Sequence, residues 1–167
     1  VDEPAGGAAR PARQDVRLAN EAWEALFRAQ AVLARRFRDD DIWDEVSPSE
    51  YDVLHTLARH EDGHPGVPGS GEAGATMVEI NQEVLLTQGG ISRLVARLVE
   101  RGLLERRPDR HDRRAARVLL TARGRAVLRT VGRRHARAVS AAMTGALSPD
   151  QLRQLRHLTR QLTDHLT

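Results

Sequence analysis

Between Thr76 and Gly90 the chain signals two helix starts in quick succession, and that spacing limits the possible folds more than any other feature. Thr76-Met77-Val78-Glu79 has the form of a capping box, in which the threonine oxygen accepts from the first turn and the glutamate three residues on reaches back. The helix it opens has Val78, Ile80 and Val84 as its apolar positions. Thr87-Gln88-Gly89-Gly90 starts a second helix only a few residues further on, with Ile91, Leu94, Val95 and Leu98 on its inner face. Two short helices joined by a tight turn are a helix-turn-helix.

The residues downstream extend this unit. Gly102 is a helix stop signal. Residues 103–107 and 115–120 suit short strands, and the polar run Pro108-Asp109-Arg110-His111-Asp112-Arg113-Arg114 between them suits a turn. The pattern predicts a β-hairpin with a charged tip, the wing of a winged helix. Thr121 caps a long helix predicted to reach about Ala146. Ser148-Pro149-Asp150-Gln151 then opens a last helix with Leu152, Leu155, Leu158 and Leu162 at helical spacing. Upstream, Ser47-Pro48-Ser49-Glu50 reads as another capping box with proline in the first position, and Val53, Leu54, Leu57 and Ala58 supply the buried face of its helix. Leu18, Ala22, Leu26, Ala29, Leu33 and Phe37 predict an amphipathic helix over 15–37. Residues 1–14 read as a disordered tail, and the connector 60–75, with five Gly and two Pro, is expected to be poorly ordered.

Charge is divided along the chain. The formal net charge of +3 conceals −7 over residues 1–75 and +10 over residues 76–167, and residues 88–137 alone carry 15 Arg against 4 acids. Such a local excess points to a polyanion, either nucleic acid or an anionic membrane surface. All five aromatic residues lie in the first third, so the basic part lacks the stacking platforms that single-strand binding uses. A membrane-surface helix would also set large apolar residues against its arginines, so duplex DNA is the expected partner and no membrane is expected. With no apolar run long enough to span a bilayer and no apolar core near residue 1, the chain is expected to be soluble and cytoplasmic. Zero cysteines exclude disulfides, thiolate metal sites and cysteine nucleophiles.

The order of elements, and above all Gly102-Leu103-Leu104-Glu105-Arg106-Arg107-Pro108-Asp109 followed by Asp112-Arg113-Arg114 and Leu120-Thr121, resembles the MarR family of bacterial transcription regulators. The last pieces fit the family's wing signature: Asp, any residue, Arg, five residues, Leu, Thr. The resemblance runs from Asp15 to the C-terminus. It implies a mainly α fold with a small β-hairpin, a winged helix-turn-helix over 47–121, and dimerisation helices over 15–45 and 122–167, all within one domain spanning 15–167. It further implies a homodimeric, ligand-responsive repressor on a palindromic operator. The helix from Gln88 to Arg101 would enter the major groove and each wing tip would reach an adjacent minor groove. Two features depart from the family pattern: the connector is long, and Gly89-Gly90 falls where side chains usually meet DNA.

On that resemblance Thr87, Gln88, Gly89, Ser92, Arg93 and Arg97 are the DNA-contacting candidates of the helix. Gln is suited to adenine, Arg to guanine, and Gly89 to close backbone approach. In the wing, Arg114 would insert into the minor groove with Asp112 orienting it, while Arg110 and Arg113 would meet phosphates. The bland reading of these arginines is a solvated hairpin tip. Family effectors are small, often aromatic anions, and Trp23, Phe27, Trp43, Tyr51 and His55 could line a pocket for one or simply pack a core. His55, His60 and His64 match no metal-ligand spacing, so no metal or other cofactor is expected. His135, His157 and His165 read as helix surface. No nucleophile-base pair or phosphate loop points to an enzyme. The competing function is a winged-helix protein-interaction module without specific DNA binding.

Overall fold

The structure, a computed structural model, describes residues 13–61, 74–84, 88–109 and 115–166. Most of the expected tail and residues 62–73 of the connector lie outside them. Among the described residues, six helices and three strands follow in the order α1 (Arg13–Arg38), α2 (Pro48–Glu61), β1 (Ala75–Thr76), α3 (Met77–Glu83), α4 (Gln88–Glu100), β2 (Leu104–Pro108), β3 (Ala116–Leu120), α5 (Ala122–Thr144) and α6 (Pro149–Leu166). They fall into two compact units, Val1–Asp39 and Asp40–Thr167.

The first unit is α1, 26 residues with Asp15 in its first turn and Arg35, Arg36 and Arg38 in its last, each favourably placed against the helix dipole. Leu18, Trp23, Leu26, Phe27 and Val32 are exposed on it.

The second unit is built around one core. Val53, Leu54 and Leu57 of α2, Ile80 of α3, and Ile91, Leu94, Val95 and Leu98 of α4 meet Leu103 just before β2, Leu104, Val118 and Leu120 of the sheet and Val127 and Val131 of α5. In α3 the expected burial is corrected at one position: Ile80 and Val84 are buried, but Val78 faces out and Met77 packs inward instead. Successive helical residues turn by about 100°, so 77, 80 and 84 share a face while 78 points nearly opposite Ile80. The hairpin is also more than a hairpin. The two-residue β1 pairs antiparallel with β3, giving the order β1-β3-β2 with Ala75 opposite Val118 and Thr76 opposite Arg117. Two residues carry too little alternation to be read in advance.

Local signals account for the element ends. Thr76 N–H donates to Glu79 Oε2 at 2.7 Å and Glu79 N–H donates to Thr76 Oγ1 at 3.3 Å, closing the capping box of α3. Gly102 adopts φ +68°, while Gly102 N–H donates to Val99 O and Leu103 N–H to Leu98 O, both at 2.9 Å, which satisfies the last carbonyls of α4. At α5, Gly124 N–H donates to Thr121 Oγ1 at 3.0 Å, and Thr121 Oγ1 in turn lies within 2.8 Å of the Gly102 carbonyl.

The cap of α2 reaches beyond its own helix. Ser47 N–H donates to Glu50 Oε2 at 2.8 Å, Arg101 Nη1 lies 3.0 Å from Glu50 Oε1, and Arg101 Nη2 donates to the Glu45 carbonyl. Burial alone would raise the Glu50 carboxyl, but the Ser47 N–H and the Arg101 guanidinium outweigh it and hold the group below its ordinary value. A depressed folded value means stability that is present above the unfolded carboxylate value and is lost as the pH falls through the folded one. Glu50→Gln is therefore expected to cost about 2 kcal/mol at neutral pH. Its penalty should shrink steadily as thermal unfolding is followed to acid pH; a penalty independent of pH would show that the charge contributes nothing.

Candidate nucleic-acid interface

Helix α4 has an inner and an outer face set by its 3.6-residue period. Ile91, Leu94, Val95 and Leu98 point into the core, which forces Gly89, Ser92, Arg93 and Arg97 outward, and all four are exposed. From Gly89 to Arg97 the outer face runs about 12 Å, enough to follow a few base pairs. Gly90, Arg93, Ala96, Arg97 and Glu100 line an open depression along it. No acid occupies the first turn, so the partial positive charge of the helix N-terminus is unopposed there. Arg93 Nε donates back to the Gly89 carbonyl at 3.2 Å, holding that side chain along the helix. Gln88 opens α4, and Thr87 lies outside the described residues.

Strands β2 and β3 pair from Leu104 opposite Leu120 to Pro108 opposite Ala116. Leu104 is buried at the start of β2, while Arg106 and Arg107 further along it are exposed, the latter paired with Glu105 at 2.5 Å. Asp109 N–H donates to the Ala115 carbonyl at 3.1 Å and closes the base of the wing tip. The tip candidates Arg110, Asp112, Arg113 and Arg114 lie outside the described residues. Arg117, in the same arginine-rich stretch, points inward and is 5% exposed. Nothing in its sequence position distinguishes it from its neighbours; its burial follows from β1 covering the far edge of β3.

Of the aromatic candidates, Trp43, Tyr51 and His55 come together and Trp23 and Phe27 form a separate pair. Trp43 meets Tyr51 edge-on at 5.6 Å between ring centroids, and Tyr51 stacks on His55 at 5.8 Å. Trp23 and Phe27, one turn apart on α1, stack at 6.3 Å. The cluster includes a residue expected at the helix surface. His135 of α5 lies 5.4 Å from both Trp43 and Tyr51 and is half-buried. Its spacing carried the signal, since Val127, Val131 and His135 fall four residues apart on one face of α5. Burial, reinforced by the charge of Asp52, raises the Tyr51 hydroxyl above its ordinary value, so it is a neutral donor at physiological pH. The Asp52 carboxylate lies within electrostatic reach of both His55 and His135. The result is an apolar surface with a hydroxyl, two imidazoles and a carboxylate at its edge.

His60, by contrast, is buried with Nε2 2.9 Å from Glu83 Oε1, tying α2 to α3. Among the described residues no cluster of three or more His, Asp or Glu could hold a metal ion, and no helix is long and apolar enough to cross a membrane.

Residues 45–115 match the model of the MarR family. Comparison with curated protein sequences returns no match. In structure the chain is similar to a MarR family transcriptional regulator from Streptomyces coelicolor in complex with DNA, at 24% identity over 100% of this chain and 94% of that one, with a TM-score of 0.64. It is also similar to BpsR of Bordetella bronchiseptica, whose DNA binding is regulated by 6-hydroxynicotinic acid, at 21% identity, 86% and 98% coverage and a TM-score of 0.66. A third likeness is to the PcaV transcriptional regulator of Streptomyces coelicolor in complex with its natural ligand, at 25% identity, 97% and 100% coverage and a TM-score of 0.57. The family match runs from just before α2 through the helix-turn-helix and β2 and ends before β3, and the likeness to the DNA-bound Streptomyces coelicolor structure extends over the whole chain. In its winged helix-turn-helix and the elements flanking it, the chain is similar to the MarR family of transcription regulators, whose model its residues 45–115 match.

Proposed function

We propose that this regulator binds duplex DNA sequence-specifically in the cytoplasm, as a homodimeric and ligand-responsive repressor on a palindromic operator. The observation that carries the reading is the outer face of α4, where Ser92, Arg93 and Arg97 stand exposed on a helix whose opposite face is locked into the core. In this reading Gln88, Ser92, Arg93 and Arg97 meet base edges and phosphates in the major groove, and Thr87 and Gly89 let the helix start approach the backbone. Arg110, Arg113 and Arg114 of the wing, with Asp112 orienting the last, reach the neighbouring minor groove. One such unit covers few base pairs, so specificity requires two copies about one helical turn apart, roughly 34 to 36 Å.

The effector in this reading is a small aromatic or anionic molecule seated against Trp43, Tyr51 and His55, while Trp23 and Phe27 are the candidates that α1 offers. Support comes from the polar edge of the Trp43 cluster and from the small-molecule ligands of BpsR and PcaV. A flat aromatic ring suits the cluster's faces, while Tyr51 and the imidazoles offer donors to an anion.

The test is fluorescence anisotropy with the inverted repeat upstream of its own gene against a scrambled duplex, across a salt series. Binding to the repeat should weaken steeply with salt, and Arg93→Ala should lower its affinity by roughly ten- to hundredfold. Equal affinity for both duplexes would instead favour a protein-interaction module.

A further inference from the structure

One arginine of the wing is set apart from the others by its surroundings. Arg117 lies on the central strand β3, opposite Thr76 on one side and Arg107 on the other, and its side chain is 6% exposed. Its Nη2 donates to the Gly74 carbonyl at 2.6 Å and lies 3.7 Å from Glu79 Oε2. That carboxylate oxygen is the one accepting from Thr76 N–H in the α3 capping box. Its Nη1 donates at 3.3 Å to Asp109 Oδ2, whose side chain is only 9% exposed. One guanidinium thus joins the chain entering β1, the N-terminus of the first helix of the helix-turn-helix, and the last residue before the wing tip.

The backbone is shaped to make this junction. Gly74 holds φ +84°, and a Cβ there would overlap the Val118 carbonyl oxygen and lie 2.7 Å from Leu119 Cγ. Only glycine lets the chain pass this close over β3 and aim its carbonyl at the guanidinium. Toward the other end of β3, the Asp109 N–H to Ala115 carbonyl bond closes the base of the wing tip. A buried ion network of this kind adds little net stability compared with well-packed apolar residues, but the flat fork fixes directions that an apolar side chain would leave free.

We propose that Arg117 is a positioning residue: its hydrogen bonds to Asp109 and the Gly74 carbonyl and its ion pair with Glu79 lock the base of the wing tip to the start of the helix-turn-helix, so that wing and α4 reach DNA in a fixed register. This role rests on the DNA-binding reading. Arg117 itself is too deeply buried to meet a phosphate, which separates it from the exposed arginines around it.

The experiment measures operator affinity over a salt series for the intact protein, Arg117→Met and Arg93→Ala, together with amide exchange of the free proteins. Removing a surface arginine that touches a phosphate flattens the salt slope by about one, whereas removing a positioning residue weakens binding without changing the number of ions released. Arg117→Met is expected to weaken binding by about tenfold with the slope of the unaltered protein, and Arg117→Lys to fall between the two. In the absence of DNA, the Asp109 amide should exchange faster in Arg117→Met. Should that variant fail to fold, Asp109→Asn removes the same ion pair with no change of shape and is expected to give the same pair of results. A flattened slope would make Arg117 a phosphate ligand; undiminished affinity or unaltered Asp109 exchange would each remove the positioning role. If the unaltered protein shows no salt-dependent preference for the repeat, the DNA reading fails, and the exchange result still decides whether Arg117 holds the base of the wing tip.

Discussion

Gly124→Ala is expected to destabilise the protein by about 3 kcal/mol, although alanine in place of glycine within a helix ordinarily stabilises it by about 1 kcal/mol. A Cβ at Gly124 would overlap the Leu103 carbonyl oxygen, lie 3.1 Å from its carbon and press on Leu120 Cδ2 at 3.3 Å. Neither partner can retreat. The Leu103 carbonyl accepts from Thr121 N–H at 3.1 Å, and Leu103 and Leu120 are core residues side by side at the open end of the hairpin. The strain would part α5 from the foot of the wing. Gly89, where an added Cβ meets nothing within 4 Å, is the comparison: Gly89→Ala is expected to leave the free protein as stable or up to about 1 kcal/mol more so. Urea denaturation of both variants reads the contrast. If Gly124→Ala tolerates as much urea as the unaltered protein, the close packing of α5 on Leu103 is wrong.

The second large effect is expected from the leucine stripe of α6. Leu155, Leu158, Leu162 and Leu166 are 37%, 54%, 48% and 74% exposed, an apolar row that a solitary chain leaves in water. In the homodimeric reading this row is covered by the partner. Leu158→Asp combined with Leu162→Asp should then give a monomer at micromolar concentration, seen by sedimentation, with the winged helix-turn-helix still folded. Operator affinity should drop at least a hundredfold, because two linked half-site contacts become one. A double variant that still sediments as a dimer would move the interface elsewhere, and a monomeric variant with full affinity would end the requirement for two copies.

Much of the local architecture is legible in the sequence because it is written in short-range chemistry. The Ser47, Thr76 and Ser148 boxes place the starts of α2, α3 and α6, and hydrogen bonds to Glu50, Glu79 and Gln151 close each of them. Gly102 ends α4 in the left-handed conformation that glycine adopts without strain. The inner face of α4 also follows from spacing, and with it the outward direction of Ser92, Arg93 and Arg97. The departures have equally specific causes. Val78, being apolar, is expected in the core, whereas the rotation set by Met77, Ile80 and Val84 turns it to solvent. His135, being polar, is expected at the surface, whereas it continues the Val127 and Val131 face into the rings of Trp43 and Tyr51.

Helix boundaries, the direction of each helix face, the hairpin and the arginine-rich stretch all depend on residues within a turn or two of one another, so the order of residues carried them. Which arginine is a ligand and which a strut depends on what covers it. Arg117 and Arg106 are alike in type and neighbourhood along the chain, yet one is enclosed by Gly74, Glu79 and Asp109 and the other is open to water. Arg101, likewise, is drawn to Glu50 across 51 positions of chain. Partners so far apart along the chain meet through the packing of the whole unit around Leu54, Ile80, Leu98 and Leu120, and no local pattern announces them.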